Sequence, residues 1–306
     1  MEFKLTVIIP IYNAEKFLYE AVESAVNQKE VTEVILIEDN SPGNALDICR
    51  DIEKRYRKVK LYQHPDKKNH GAAASRNLGV IKASTEWIAF LDADDMYFEN
   101  RFKHIPELIK ENRNADGFYD AIGVIFEDEK KKKEWNRGDM TTIRDFLSPD
   151  QLFFYILLGM GHFHLNGLTV KKELLIKAGL FDERLRLHQD THLCGKIVAT
   201  GILVRGRIDH PVGNRRVHSD NRYTGTEKKY IYTRINLYKY LWEWTCKQST
   251  LKRKWKKKLL THYLYFDALK DASIYEKKVY KYFYWMFSKI YRSFVLSLGF
   301  LTRKKF

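Results

Sequence analysis

Residues 5–91 alternate short apolar segments with amphipathic segments, and this alternation limits the possible folds more than any other feature of the sequence. Four apolar segments are predicted as buried strands, at residues 5–10, 34–37, 59–62 and 87–91. Between them, the spacing of apolar residues predicts helices at 15–27, 45–56 and 72–83. Because strands that alternate with helices form parallel sheets, we expect an α/β fold with a mostly parallel central sheet flanked by helices.

The alternation weakens after residue 116. Helices are predicted at 150–160 and 171–178, a strand at 201–208, and a solvent-exposed hairpin tip or loop in the charged run 127–134. From residue 227 the pattern is helical to the end of the sequence. We therefore expect one α/β domain in two halves, residues 1–116 and 117–226, followed by a helical extension at 227–306.

The charge is concentrated in that extension. The net charge is +15, yet residues 228–306 hold 20 Lys and Arg against 4 Asp and Glu, together with 21 of the 43 aromatic residues. The rest of the chain is nearly neutral, which argues against a nucleic-acid-binding face on the body of the protein. The three cysteines lie far apart, a spacing that fits neither a disulfide framework nor a zinc ribbon and suits a reducing compartment. We expect no signal peptide and no membrane span, because the chain opens on strand-like residues and no apolar run approaches about 20 residues.

Polar side chains follow three of the predicted strands, where parallel sheets bind ligands. Asn13 and Asp39 follow the first two strands, and the run Asp92-Ala93-Asp94-Asp95 follows the fourth. Several carboxylates at one sheet edge are unfavourable unless a cation compensates them, and oxygen ligands suit Mg²⁺ or Mn²⁺. The alternative is that these aspartates cap a helix.

Four motifs occur in order along the chain: Val-Ile-Ile-Pro-Ile-Tyr-Asn at 7–13, Ile-Leu-Ile-Glu-Asp-Asn-Ser at 35–41, Gly-Ala-Ala-Ala-Ser-Arg-Asn at 71–77 and Asp-Ala-Asp at 92–94. This series resembles the family 2 glycosyltransferases over roughly residues 5–220. The resemblance implies a GT-A fold and a metal-dependent, inverting transfer of a sugar from a nucleotide sugar, with UDP favoured, to a hydroxyl of a glycan or lipid-linked saccharide. It also implies bacterial cell-surface polysaccharide synthesis as the setting.

The resemblance assigns roles in the first half. Pro10, Tyr12 and Asn13 would line the nucleoside pocket, and Asp39 would hydrogen-bond the base. Arg76 would lie beside the base or diphosphate, and Asp92 and Ala93 would lie at the ribose. Asp92 would also reach the metal shell, and Asp94 would be the direct ligand of Mn²⁺ or Mg²⁺. Glu38 departs from the family, which more often has Asp there.

In the second half, Gly-Leu-Phe-Asp-Glu at 179–183 and Gln189-Asp190 are similar to the family's G-x-F-D-E segment and the acidic pair that follows it, with Gln in place of the usual Glu. The resemblance makes Asp190 the catalytic base; otherwise Asp190 caps the following helix. Asp182 and Glu183 are expected to hold the loop.

The histidines receive weaker assignments. His218 matches a family R-x-H segment and would reach the metal or diphosphate, with Arg215 or Arg216 near the diphosphate; the alternative is an ordinary loop histidine. His164, His188 and Gln189 are possible acceptor contacts. His188 and His192 share a helix face, but a metalloprotease pattern requires Glu where Gln189 stands, so zinc is not expected.

The extension favours contact with an anionic membrane. The run 252–258 holds six basic residues around one tryptophan, and aromatic residues at 280–294 are interleaved with lysine and arginine. The alternative is a helical extension that packs its aromatic residues on the catalytic domain and leaves its lysines in water. Two other readings of the whole chain stay open: a nucleic-acid-binding nucleotidyltransferase, and a sugar-binding relative without catalysis. We expect a cytoplasmic enzyme, peripheral on the cytoplasmic face of the membrane and without a nucleic-acid partner.

Overall fold

The computed structural model describes residues 3–135, 138–157, 159–218, 227–249 and 251–270. Two compact units make up the chain. The first, an α/β unit, comprises Met1–Arg144, Phe163–Arg186 and Gly201–Asn221. The second, a helical unit, comprises Asp145–His162, Leu187–Thr200 and Arg222–Phe306. The division of the chain at residues 116 and 226, into two halves of the α/β domain and an extension, stays a prediction.

The strands of the described residues all belong to the α/β unit. They are β1 (Leu5–Ile11), β2 (Val31–Glu38), β3 (Val59–Gln63), β4 (Trp87–Phe90), β5 (Met96–Tyr97), β6 (Gly117–Tyr119), β7 (Ile122–Phe126), β8 (Met140–Thr141), β9 (Leu168–Lys171), β10 (Leu203–Arg205) and β11 (Gly213–Val217). The helices of this unit are α1 (Leu18–Val26), α2 (Ala45–Arg55), α3 (Ala72–Lys82), α4 (Ile105–Glu111), α5 (Glu129–Glu134) and α7 (Lys172–Lys177). Those of the helical unit are α6 (Pro149–Leu157), α8 (Gln189–Thr200), α9 (Glu227–Cys246) and α10 (Arg253–Lys270).

The central sheet has seven strands in the order β10-β6-β9-β4-β1-β2-β3. All neighbours run parallel except β9, which is antiparallel to both β4 and β6. Strands β1, β2 and β4 are covered on both faces, and their near-continuous apolar sequences suit this double burial. The predicted α/β class with a mostly parallel sheet is confirmed.

A smaller sheet, in the order β5-β11-β7-β8, was not anticipated from the sequence. Strand β5 begins directly after Asp95 and pairs with β11, so this sheet places residues 213–217 beside the end of β4. The charged run 127–134 also differs from its prediction. It contains the short helix α5, which begins where the Asp128 side chain accepts the backbone N–H of Lys131 at 2.7 Å.

Aromatic residues form the interior of the helical unit. The rings of Phe153 and Trp255 stack with centroids 4.3 Å apart, and Tyr238 stacks on Phe266 at 5.1 Å. Trp255, the centre of the basic run, is therefore buried, whereas Lys254 beside it is exposed. Of the helices in the described part of the chain, none combines the length and the apolar composition that a bilayer crossing requires. The aromatic residues at 280–294 lie outside the described residues.

Candidate active site

The acidic turn, residues 92–95, follows β4 at the carboxyl end of the central sheet. The backbone N–H of Asp95 donates to the carbonyl of Asp92 at 3.0 Å and closes the turn. Ala93 is buried within it. Three carboxylates thus project from four consecutive residues, at the sheet edge where parallel α/β folds bind ligands.

Arg76 reaches this turn from α3. Its Nη2 donates to Oδ1 of Asp92 at 2.5 Å, and the guanidinium lies 5.6 Å from the ring centroid of Phe181. Burial alone would raise the pKa of the Asp92 carboxyl, but the positive charges of Arg76 and His164 hold this pKa below its usual value. Arg76 is itself buried, and within the described residues its Nε has no hydrogen-bond partner.

Asp94 meets the smaller sheet. Its Oδ2 lies 3.0 Å from Nε2 of His218, and its backbone carbonyl accepts Nε of Arg216 at 3.1 Å. Burial and the charge of Asp92 raise the pKa of the Asp94 carboxyl, although the hydrogen bond with His218 opposes this shift. The structure therefore brings together Arg76, Asp92, Asp94 and His218 in one place, and their roles toward a nucleotide and a metal stay predictions.

Asp95 is the most buried carboxylate of the turn, at 4% exposure. Its Oδ1 accepts the backbone N–H of Arg216 at 2.7 Å, and its Oδ2 accepts the side-chain amide of Asn166 at 2.6 Å. Burial, together with the charges of Asp94 and Asp92, raises the pKa of Asp95 well above its ordinary value. Asp95 was predicted only as one of the carboxylates of this run and Asn166 was given no role, because their buried hydrogen bonds are not revealed by a residue pattern.

The turn carries the ligand types that a hard divalent cation prefers. Asp92, Asp95 and His164 each present one ligand atom within 4.8 Å of the others. His164 was predicted as an acceptor contact, and its ring also accepts the backbone N–H of Asn166 at 3.3 Å. Carboxylate oxygens with one or two imidazoles suit Mn²⁺ or Mg²⁺, and a cation would offset the burial and the mutual repulsion that raise the pKa values of Asp94 and Asp95. The residues present therefore fit the expected metal.

The predicted nucleoside pocket lies where β1 and β2 end. Pro10 is within β1, Tyr12 directly after it is 38% exposed, and Asn13 has a left-handed backbone with φ of 52°. The N–H of Asn13 donates to the Ser41 hydroxyl at 3.2 Å, which joins the loops after the two strands.

The carboxylate of Asp39 is occupied by the segment 69–71. It accepts the backbone N–H groups of His70 and Gly71 at 2.8 and 2.7 Å, and the side-chain amide of Asn69 at 3.0 Å. Nε2 of His64 lies 3.5 Å away. Asp39 thus anchors the loop that leads into α3, in addition to the base contact predicted for it.

Asp190 belongs to the helical unit, in the first turn of α8. Its Oδ1 accepts the backbone N–H of Thr191 at 2.7 Å. Preceding it, His188 has φ of 62° and its Nε2 lies 3.2 Å from the Thr233 hydroxyl; burial and the charge of Arg234 lower the pKa of His188 to about 4. Gln189 is the first residue of α8, and its buried Oε1 has no hydrogen-bond partner among the described residues.

The loop before α8 behaves as expected. Asp182 accepts the guanidinium of Arg184 at 2.7 Å, and Glu183 accepts the side-chain amide of Asn77 at 2.9 Å. The backbone carbonyl of Phe181 also accepts Asn77 at 3.0 Å. These acids stabilise the loop.

Residues 6–165 match the family model described as "Glycosyl transferase family 2". The chain is 30% identical over 201 residues to the minor teichoic acid biosynthesis protein GgaB of Bacillus subtilis (strain 168), which covers 64% of this chain and 21% of GgaB. It is 27% identical over 283 residues to the uncharacterised glycosyltransferase RT0329 of Rickettsia typhi, covering 90% of this chain and 80% of that protein. The chain spans between 21% and 41% of the length of the first curated relatives it matches.

Among solved structures, a TarS fragment (1–349) from S. aureus in complex with UDP-GlcNAc matches with a TM-score of 0.63. The two chains are 18% identical, and the match covers 86% of this chain and 72% of the fragment. At this identity the likeness concerns the fold.

Proposed function

The chain belongs to glycosyl transferase family 2, and from this premise we propose that it transfers a sugar from a nucleotide-sugar donor, with UDP-sugars favoured, to a hydroxyl group of a glycan or lipid-linked saccharide. Membership confirms the family predicted from the four motifs, and the GT-A fold that goes with it agrees with the likeness to TarS. The donor and acceptor are parts of the proposal. UDP is supported by the complex of TarS, and a cell-surface polymer by the name of GgaB.

One observation carries this proposal: the acidic turn at the end of β4 has Arg76 on Asp92 and His218 on Asp94. The family motifs give Asp92, Asp94 and His218 as the residues that would hold Mn²⁺ or Mg²⁺, whereas the ligand atoms that lie within 4.8 Å of one another are those of Asp92, Asp95 and His164. When bound, such a cation neutralises negative charge on a departing nucleoside diphosphate. Arg76 would contribute a planar set of donors that suits a phosphate oxygen.

The nucleoside would lie against the loops that follow β1 and β2. Tyr12 offers a partly exposed ring for stacking on a base, and Pro10 and Asn13 form the adjoining wall. Ala93, which is buried in the acidic turn, is assigned to the nucleotide-sugar site by the family motif alone.

Asp190 is proposed as the base that removes the proton from the acceptor hydroxyl. Its support is the match to the family motif and the position at the start of α8, where only Oδ1 is engaged among the described residues. The pKa of about 4 keeps the neighbouring His188 neutral at physiological pH, so this imidazole suits hydrogen bonding to a sugar hydroxyl.

We also propose that the enzyme works at the cytoplasmic face of the membrane, with residues 228–306 against anionic lipid. The support is the concentration of basic residues there and the exposure of Lys254 and Lys257 on α10. Sedimentation with phosphatidylglycerol vesicles, but not with phosphatidylcholine vesicles, is the expected result. Equal sedimentation with both would contradict an electrostatic contact.

The test of the central proposal is calorimetric titration of UDP, GDP and dTDP with and without Mn²⁺. The wild type is expected to bind UDP in a Mn²⁺-dependent manner, and Asp94→Asn to lose that dependence because a direct oxygen ligand loses its charge. Asp47→Asn, at an exposed carboxylate on α2, is the matched control and should bind like wild type. Absence of binding of any nucleotide to the wild type would contradict the proposed function.

A second experiment separates the base from the donor site. Asp190→Asn should abolish sugar transfer while UDP affinity stays within about threefold of wild type, because the amide keeps the shape but accepts no proton. Parallel loss of transfer and of UDP binding would exclude Asp190 as the base.

A further inference from the structure

Asn166 connects the two ends of the acidic turn. Its side-chain Oδ1 accepts the backbone N–H of Asp92 at 3.2 Å, and its Nδ2 donates to Oδ2 of Asp95 at 2.6 Å. The Asn166 side chain therefore spans the turn, and Asn166 is only 1% exposed. A side-chain amide carries an oxygen acceptor and a nitrogen donor, and Asn166 directs the oxygen to Asp92 and the nitrogen to Asp95.

Asn166 is in turn held in place from behind. Its backbone carbonyl accepts Nη2 of Arg101 at 3.3 Å, and Arg101 forms an ion pair with Asp120 at 2.6 Å in which neither side chain is exposed. The carbonyl of the next residue, Gly167, accepts the backbone N–H of Asp120 at 2.9 Å. A Cβ on Gly167 would lie 2.4 Å from the Asp120 carbonyl oxygen, so the two segments approach as closely as their backbones allow.

Asp95 completes the connection on the opposite side. Its Oδ1 accepts the backbone N–H of Arg216 in β11, the strand that leads to His218. A single carboxylate is therefore shared between Asn166 and β11. Loss of the Asn166 amide would leave this buried carboxylate with fewer donors and release the turn from its support.

From these contacts we infer that Asn166 is a positioning residue, which fixes the acidic turn and the neighbouring His218 strand in the arrangement that binds the metal and nucleotide. The inference rests on the proposed function, because the metal–nucleotide complex is the ligand of that function. Asn166 itself need touch neither ligand. Its effect passes through Asp92 on one side and through Asp95 on the other.

The test exchanges the side chains of Asp95 and Asn166, which conserves the total charge. Asn166→Asp keeps an acceptor for Asp92 but sets a second carboxylate against Asp95, and it should weaken Mn²⁺-dependent UDP binding by about tenfold or more. Asp95→Asn alone removes a charge and should also weaken binding. The double variant Asp95→Asn/Asn166→Asp restores one amide opposite one carboxylate, so its affinity should return to within about threefold of wild type.

Calorimetry of UDP with Mn²⁺, and of Mn²⁺ alone, gives the readout independently of turnover. Asn112→Asp is the matched control: this amide donates to the Leu108 carbonyl at the end of α4, and the variant should bind like wild type. A purely structural role would lower thermal stability without recovery of affinity in the exchanged pair.

The outcomes distinguish this inference from the proposed function. Wild type without Mn²⁺-dependent UDP binding contradicts both. If the wild type binds UDP, two results would overturn the role of Asn166 alone. One is an Asn166→Asp variant with unchanged UDP affinity, and the other is a double variant that binds UDP no more tightly than the weaker single variant. If the double variant fails to fold, it is replaced by Asn166→Leu, whose side chain has a similar size but no hydrogen-bonding groups. An unchanged UDP affinity in Asn166→Leu would also overturn the role of Asn166.

Discussion

Asp39 shows how one side chain can serve the loop and the ligand in turn. A carboxylate accepts about four hydrogen bonds, and the donors from Asn69, His70 and Gly71 take three of these positions, with His64 3.5 Å away. Recognition of a base N–H by Asp39 therefore uses the remaining position or one that a donor leaves. The Asn69 amide is the donor best able to do so, because Asn69 is exposed and its side chain can rotate, whereas the backbone N–H groups are fixed.

This exchange gives a prediction for two neighbouring residues. Asp39→Asn should weaken UDP binding by about tenfold, since it removes the charge and turns a donor toward the loop N–H groups. Asn69→Ala should leave UDP affinity unchanged or slightly higher, because it frees a position on the carboxylate. Titration of UDP with Mn²⁺ compares the two variants. Equal losses in both would mean that Asp39 acts only by holding the loop.

At the residue scale, sequence motifs predicted which side chains lie at the end of β4 but not how they pair. Arg76 and His218 were expected near the diphosphate or metal, and they contact Asp92 and Asp94, since motif positions at the ends of strands converge on one sheet edge. Asn166 could not be assigned in this way. Its function lies in hydrogen bonds to residues 71 and 74 positions earlier in the chain, and a short Asn-Gly pair gives no sign of them.

At the scale of elements, α3 packs on β1 through a glycine. A Cβ on Gly79 would lie 2.4 Å from Cγ2 of Ile8, which is fully buried and has no space to move. In an exposed helix Gly→Ala is stabilising by about 0.5–1 kcal/mol. Here overpacking should dominate, and Gly79→Ala is expected to lower the free energy of unfolding by about 1–2 kcal/mol.

Urea unfolding measures this change. Lys82→Ala, at an exposed position of the same helix, is the control and should stay within about 0.5 kcal/mol of wild type. Combining Gly79→Ala with Ile8→Ala should produce less destabilisation than the sum of the single variants, because the smaller side chain removes the clash. A stabilised Gly79→Ala protein would show that the two elements separate easily.

The pair Arg101–Asp120 lies between elements and supports the loop of Asn166. The Asp120 carboxylate accepts Arg101, the ring of His104 at 2.8 Å and the backbone N–H of Arg207 at 2.6 Å. Burial would raise the pKa of Asp120, but the Arg101 charge and the His104 hydrogen bond hold it below its usual value. Asp120→Ala leaves Arg101 buried without its counter-charge, and we expect a loss of about 3–5 kcal/mol of stability.

The exposed pair Arg50–Asp47 provides the comparison. Asp47→Ala should change the free energy of unfolding by less than about 1 kcal/mol, because water screens this pair. Urea midpoints of the two variants would settle the difference. Similar small losses in both would mean that the interior relaxes around Arg101.

The elements themselves were predicted unevenly. Long periodic segments such as α2 and α3 begin at the expected residues and end one residue early, since their apolar stripes are complete in the local sequence. Strand β9 has four residues and finds its partners in β4 and β6, which lie far away in the chain. Its antiparallel insertion depends on those distant partners, as does the smaller sheet around β11, and no local pattern contains them.

At the scale of the whole molecule, a buried histidine makes the free energy of unfolding depend on pH. The helical unit buries His262, whose Nδ1 donates to the Lys258 carbonyl at 2.9 Å and whose ring lies 5.4 Å from that of Tyr238. Burial lowers the pKa of His262 to about 4. The ordinary pKa of about 6.5 applies in the unfolded chain, so between these values the unfolded state binds more protons than the folded state.

Stability from the neutral His262 is therefore fully present above about pH 6.5 and is lost as the pH falls toward 4. We expect the free energy of unfolding to drop by about 1–2 kcal/mol from this residue between pH 7 and pH 5. His262→Gln, which retains an N–H for the Lys258 carbonyl, should reduce that drop, whereas His210→Gln at an exposed site of the α/β unit should not. Urea unfolding at the two pH values gives the comparison. The same pH dependence in His262→Gln and wild type would show that His262 titrates normally, and that the loss of stability in acid must arise elsewhere in the chain.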